Sequence, residues 1–239
     1  MDLHVDPTQI LTPDEVHLVL MDGERRAKRF PLTRQNLVIF RLAACCGLRS
    51  SEIAGLRLRD LRTDSDVPVI LVGQASGKGA KARKVPLAWD EGTWLALRAW
   101  KAIRLISYGA APSEPVVCVL VDHPQYATSC IVPTENRSHV GRALLPIQVY
   151  RKFKAALRPL PPERRAQLHT HSGRHTFASY AVRSHPLAAV RDALGHASIA
   201  TTSVYLHMAA ADFAKKGNIY GFASVPGMKT PPETAPDPT

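Results

Sequence analysis

The 239-residue chain is poor in several things at once. Its longest apolar stretches, Val67–Val72 and Leu37–Leu48 (interrupted by Arg41), fall well short of the ~20 residues that a membrane-spanning helix needs. No basic-then-apolar leader follows Met1, because Asp2, His4 and Asp6 open the chain. Secretion and membrane insertion are therefore not expected. Cysteine is scarce, and Cys45 and Cys46 stand side by side in an apolar run, which is no disulfide framework. A reduced, cytoplasmic protein is the expectation. The spacing of Cys118, His123 and Cys130 matches no common zinc pattern, so no metal site is assigned. Also missing are an internal repeat, a phosphate-cradling glycine loop and a carboxylate cluster suited to two-metal chemistry. A metal-dependent nuclease is disfavoured on that ground.

Acid is scarce too. Thirty-one Lys and Arg against twenty Asp and Glu give a formal charge of +11, while 45% hydrophobic residues suffice for a packed core. A basic surface on a soluble chain most often meets a polyanion, nucleic acid first. The cations are clustered. Arg25, Arg26, Lys28 and Arg29 lie together, as do Lys78, Lys81, Arg83 and Lys84, and six fall between Arg151 and Arg165.

Periodicity and caps predict a mostly α fold with a small antiparallel sheet or hairpin, an α+β domain. Thr12, Pro13 and Glu15 form a capping-box start before Val16, Val19 and Leu20. A second helix is expected from about Thr33 to Cys46, with Gly47 as its stop, and a short one from Ser50. Val67–Val72 and Arg83–Leu87 read as strands around a glycine- and lysine-bearing turn, in a sheet of two or three strands. Helical periodicity returns over Asp90–Ile106. Residues 107–146 are expected to be irregular with some strand. Further helices are predicted at Pro146–Leu157, Ser172–Val182, Pro186–Leu194 and Ser198–Met208. Five prolines between Val225 and Thr239 mark a disordered tail. The expected layout is a lead-in over 1–10, one domain over 11–222 and a tail over 223–239.

Three segments carry chemistry. In Gly47-Leu-Arg-Ser-Ser-Glu-Ile-Ala-Gly-Leu56, Arg49 stands just before a helix start, beside free backbone N–H groups that suit an anion. In His171-Ser-Gly-Arg174-His175, the spacing puts His171 and Arg174 on one helical face, so both can address one phosphate. His169 competes with His171 for that role, and His175 is expected to point elsewhere as a packing or capping residue. The third runs from Leu194-Gly-His196 to Tyr205. Gly195 can end one helix and Ser198 cap the next, so the chain reverses and His196 and Tyr205 converge.

Together these segments resemble the tyrosine recombinase (phage integrase) family, over roughly Leu11 to Met208. Its six active-site positions fall here on Arg49, Lys78, His171, Arg174, His196 and Tyr205, with Lys81 the rival to Lys78. The resemblance implies the recombinase catalytic-domain fold and metal-free DNA strand breaking and rejoining without a cofactor. Tyr205 would attack a phosphodiester to give a 3′-phosphotyrosyl link, Arg49 and Arg174 would hold the non-bridging oxygens, and His171 would take the phenolic proton. Lys78 would protonate the departing 5′-oxygen and His196 would bond the phosphate. Lys81, Arg83, Lys84, Arg151 and Lys152 are the expected DNA contacts. Glu52 is expected to steady Arg49 or a neighbouring helix. The partners implied are double-stranded DNA and further copies of the chain, a tetramer on two duplexes, with no membrane. A segment such as Ala209–Phe222 would dock into the neighbouring protomer.

The pattern departs at three points. Only ten residues precede Leu11, so the family's N-terminal DNA-clamping domain is expected to be absent, either removed or never present as in the shorter class resembling fimbrial-switch invertases. Gly173 stands where the family commonly has leucine, which implies a lost core contact and a helix weaker by ~1 kcal/mol. Gly109–Leu145 is longer than the family pattern. Two other functions fit the same residues: a type IB topoisomerase-like enzyme that religates the same strand, and a non-catalytic DNA-binding regulator with a relic site. Any of the three binds DNA through phosphate contacts. Filter binding across a salt series is expected to show affinity falling on the order of a thousandfold between about 50 and 200 mM for some six contacts.

Overall fold

A computed structural model describes residues 6–73, 82–120 and 141–206. Helix α1 (Pro13–Ala27) starts as its sequence dictates. Thr12 Oγ1 accepts from the Glu15 N–H at 3.2 Å and Glu15 Oε2 from the Thr12 N–H at 2.8 Å. Helix α2 (Pro31–Ala44) is the central pillar and packs on α1, α5 (Pro146–Ala156) and α7 (Thr170–Ser184). Its Leu37, Ile39, Phe40 and Leu42 are buried among Val149, Phe153, Phe177 and Ala178. Arg41, the one charge in that apolar run, is buried as well. It is paid with a 3.1 Å pair to Glu24 and a 3.1 Å bond to Thr93 Oγ1.

Gly47 ends this pillar with φ +68°, and a Cβ there would lie 2.5 Å from Phe177 Cδ1 and 2.9 Å from Leu194 Cδ2. The chain then enters α3 (Ser50–Gly55) and a three-stranded antiparallel sheet in the order β1 (Leu61–Arg62), β2 (Val69–Val72), β3 (Arg83–Pro86). Ile70 pairs with Leu61 on one side and Val85 on the other, so the three buried side chains share one face toward the helices. Helix α4 (Glu91–Ala102) continues into a π-helical turn, Ile103–Ser107. Among the described residues, the β-prone stretch near Val116 forms isolated bridges, Arg57 with Pro115 and Cys118 with Ala143.

The short helix α6 (Pro162–Gln167) lies where the sequence reading assigned none. Arg164 on it grips Glu15 at 2.6 and 2.9 Å and the Ile10 carbonyl at 2.7 Å, and also bonds the Thr8 carbonyl. Leu11 N–H donates to Thr176 Oγ1 at 2.9 Å, so the start of the described chain is fastened to α6 and α7. Helix α8 (Leu187–Leu194) and α9 (Ala200–Ser203) complete the described elements. The expected C-terminal tail and docking segment, and Lys78 and Lys81, lie outside the described residues.

Gly173 corrects one expectation. No core contact is missing there, because a Cβ would already lie 3.1 Å from both Ala43 Cβ and Phe153 Cε2. The α2–α7 crossing and the Phe153 ring have taken up the space. At Gly47 the constraint is sharper, combining left-handed backbone with two close side chains. Gly47→Ala is expected to lower unfolding free energy by about 1–3 kcal/mol, measured by denaturant titration.

Candidate active site

Four segments meet at the ends of α3, α7 and α8 and the start of β3. Arg49 is the residue before α3, and the Glu52 carboxylate folds back on it. Glu52 Oε2 accepts the Arg49 N–H at 2.8 Å and Oε1 accepts from the Arg49 guanidinium at 3.0 Å. The same carboxylate takes a bidentate pair from Arg83, at 2.8 Å on each oxygen. Arg83 Nε in turn donates to the Ala193 carbonyl at 2.7 Å, near the end of α8. Glu52 thus ties α3, β3 and α8 together.

Burial pushes the Glu52 carboxyl up. Hydrogen bonds from Arg83 and the Arg49 N–H, with the charges of Arg83 and Arg174, outweigh it and bring the pKa down to about 2. Its expected supporting role is what the geometry gives. Arg83 was expected to face DNA; its side chain is only 7% exposed and spent on Glu52 and α8, against 37% for Arg49. Arg49 thus keeps an exposed guanidinium, whereas Arg83 is an internal strut. Among the other expected DNA contacts, Lys84 and Arg151 are exposed and Lys152 is half-buried. Lys84 lines a cleft of about 620 Å³ with Arg57 and Arg59, two cations that the sequence reading passed over.

Gly195 is needed for this frame. It caps α8 with φ +66°, and an added Cβ would sit 2.9 Å from Arg83 Cδ. The turn it makes carries His196 back toward the site, and Ser198 Oγ accepts the Ala200 N–H at 3.2 Å to start α9. His196 Nδ1 is hydrogen-bonded to Thr202 Oγ1 at 2.9 Å, which fixes its ring.

Arg174 enters from α7 and is buried. It donates to the Gly47 carbonyl at 2.6 Å and the Leu194 carbonyl at 2.5 Å, so two of the five guanidinium N–H groups hold the side chain in place. Burial and the Arg49 charge push its pKa down to about 9, which still leaves it charged at neutral pH. His169 caps α7, its Nδ1 accepting the Ser172 N–H at 3.2 Å. That structural duty leaves exposed His171 as the imidazole one turn behind Arg174.

Tyr205 follows α9 and is buried, with its hydroxyl 2.7 Å from His175 Nδ1. His175 was expected to point elsewhere. It instead holds the phenol, and the signal that could have found it is its position one turn beyond His171 on α7. The rings run in a row, His169 to His171 at 6.1 Å, His171 to His175 at 6.5 Å and His175 to Tyr205 at 6.0 Å. Burial, then the charges of neighbouring cations, lower the pKa of His171 and bring His175 and His196 down to about 4. All three are neutral at pH 7. Burial raises Tyr205, with Arg174 opposing it. The site therefore gathers fixed cations, neutral imidazoles and one protonated phenol, an arrangement suited to binding an anion and attacking it.

The phage integrase family profile matches residues 9–212, and the chain belongs to that family. It is 32% identical over 213 residues to the tyrosine recombinase XerC of Alcanivorax borkumensis (strain SK2), covering 88% of this chain and 58% of that protein. The XerC of Azotobacter vinelandii is 33% identical over 191 residues, 79% of this chain and 52% of the relative. The chain thus spans a little over half the length of these relatives. Among solved structures, the XerH recombinase in a post-cleavage complex with palindromic difH substrate superposes with a TM-score of 0.58 at 22% identity, over 84% of this chain and 50% of that one. The XerA recombinase gives 0.57 at 22% identity, over 83% and 60%. These two share the fold.

Glu52→Gln is expected to destabilise the protein by about 3–5 kcal/mol at pH 7, because it strips the charge from a buried carboxylate and strands Arg83. Glu52 is ionised in both states above its ordinary pKa of 4.5, where its stabilisation is complete, and it is lost as pH falls toward about 2. Chemical denaturation should therefore show the difference from wild type constant down to about pH 4.5 and narrowing below it.

Proposed function

We propose that this chain is the catalytic unit of a site-specific DNA recombinase that cuts and rejoins strands through a 3′-phosphotyrosyl bond to Tyr205. The observation that carries the reading is the buried Tyr205 hydroxyl set beside α7, the helix that also presents Arg174 and His171. Family membership and two relatives named tyrosine recombinases support it. A solved neighbour, a site-specific recombinase in a post-cleavage complex with its palindromic difH substrate, supports duplex DNA as the partner.

The chemistry follows from the residue types. A phosphodiester is an anion, and attack gathers further negative charge on its non-bridging oxygens. Arg49 and Arg174 stay protonated and can meet those oxygens with paired N–H donors. His196, neutral and fixed by Thr202, hydrogen-bonds the phosphate. His171 addresses the same group from the face of Arg174. As the Tyr205 oxygen bonds to phosphorus, the bond to the 5′-oxygen breaks, the phenol loses its proton and the leaving oxygen gains one. Lys78 is the acid that the family resemblance implies. The phosphotyrosyl bond retains the energy of the broken one, so the 5′-hydroxyl of another strand can reverse the step. Exchange between two duplexes calls for a tetramer, and Lys84, Arg151 and Lys152 are the cations we assign to the DNA backbone.

A nicked suicide duplex bearing the cognate site, scored by denaturing gel, tests this. Wild type should become covalently attached, whereas Tyr205→Phe should bind and never attach. Arg49→Ala and Arg174→Ala should each slow attachment by about 100-fold or more with a much smaller effect on binding. Relaxation of a plasmid with no exchange between two sites would point to a topoisomerase instead.

A further inference from the structure

The family resemblance gives the phenol's proton to His171, yet the group within hydrogen-bond distance of the Tyr205 oxygen is His175, at 2.7 Å. We infer that His175 is the catalytic base, taking the Tyr205 proton on Nδ1 as the phenol attacks, with His171 the next imidazole on the way to solvent. The inference rests on Tyr205 being the nucleophile.

Geometry comes first. His175 sits one turn along α7 from His171 and next to Arg174, so the residue that grips the phosphate and the one that meets the phenol are consecutive on a single rigid helix. His171 is exposed, and its ring is 6.5 Å from that of His175, a separation that one water can bridge. The chain of rings leads outward from the buried hydroxyl. His169 is set apart by its capping bond to Ser172.

Charge comes second. Burial first, then the charge of Arg174 and any proton on His171 or His169, keep His175 unprotonated at neutral pH, and in its Nε2–H tautomer Nδ1 carries the lone pair that accepts from the phenol. An arriving phosphodiester brings negative charge to the same cluster and raises the affinity of the imidazole for a proton as the reaction proceeds. The step balances. The Tyr205 oxygen gains phosphorus and loses its proton to His175, and phosphorus loses the 5′-oxygen, which is protonated by a separate acid.

Single-turnover attachment to the suicide duplex, followed from pH 6 to 9.5, tests the assignment. His175→Ala should slow attachment by about 100-fold at neutral pH with DNA affinity within about twofold of wild type. That deficit should shrink as pH rises, because direct ionisation of the phenol replaces the missing base. Replacing Tyr205 with a more acidic fluorotyrosine should restore His175→Ala for the same reason. His175→Asn, which keeps a polar group near Nδ1 but cannot take a full proton, should fold as wild type does and show the same pH-dependent deficit. It is the deciding variant if alanine lowers the melting temperature. Attachment at the wild-type rate by either variant, or a deficit that neither pH nor fluorotyrosine changes, overturns the assignment. Covalent attachment by Tyr205→Phe would instead overturn the nucleophile.

Discussion

The site depends on one buried carboxylate. Glu52 reaches back to the residue before its own helix, across to the first residue of β3 and, through Arg83, to the end of α8. Glu52, Arg83 and Ala193 are far apart in the chain, and an ionic joint ties their elements together there. Isolated, such a charge would be costly to bury. Here both oxygens are filled by guanidinium and backbone donors, which is the condition under which a buried pair holds its place. Arg49, with more than a third of its side chain still exposed, is thereby aimed without being consumed.

The rest of the centre is built on a complementary economy. Arg174 is fixed by two backbone carbonyls, one at each of the glycine-marked chain reversals beside it, Gly47 and Gly195. The two turns therefore act on the chemistry through the carbonyls they present. The imidazoles, by contrast, are held neutral by burial first and then by the cations that surround them. A cluster rich in positive charge and short of anions is unfavourable until an anion arrives, and that imbalance favours binding one there.

Much of this was legible in the sequence. The capping box at Thr12, the stop at Gly47 and the reversal through Gly195 and Ser198 are local signals, and local chemistry formed them as written. The small sheet was legible because alternation around Ile70 and Val85 has only one register that buries both. What failed needed information from across the fold. Arg83 looks like any cation beside a basic turn until Glu52 is brought to it. His175 looks like packing because nothing in its own helix shows that Tyr205, thirty residues on, closes over it. Helix α6 escaped because two prolines and a run of charges read as a connector, and its stability comes from Arg164 gripping Glu15. Pairings between distant charges leave no periodic trace.

Gly173 carries a different kind of consequence. The volume that a larger side chain would need there already belongs to Phe153 and Ala43, each 3.1 Å from where a Cβ would begin. A leucine at 173 and the phenylalanine at 153 would be rival tenants of one space, so neither replacement can be judged alone. Shrinking position 153 alone would not admit a larger residue at 173, because Ala43 crowds the same point with its Cβ at 3.1 Å and its backbone carbon at 3.3 Å. The absence of a side chain at 173 is therefore a condition of how closely α2 and α7 cross.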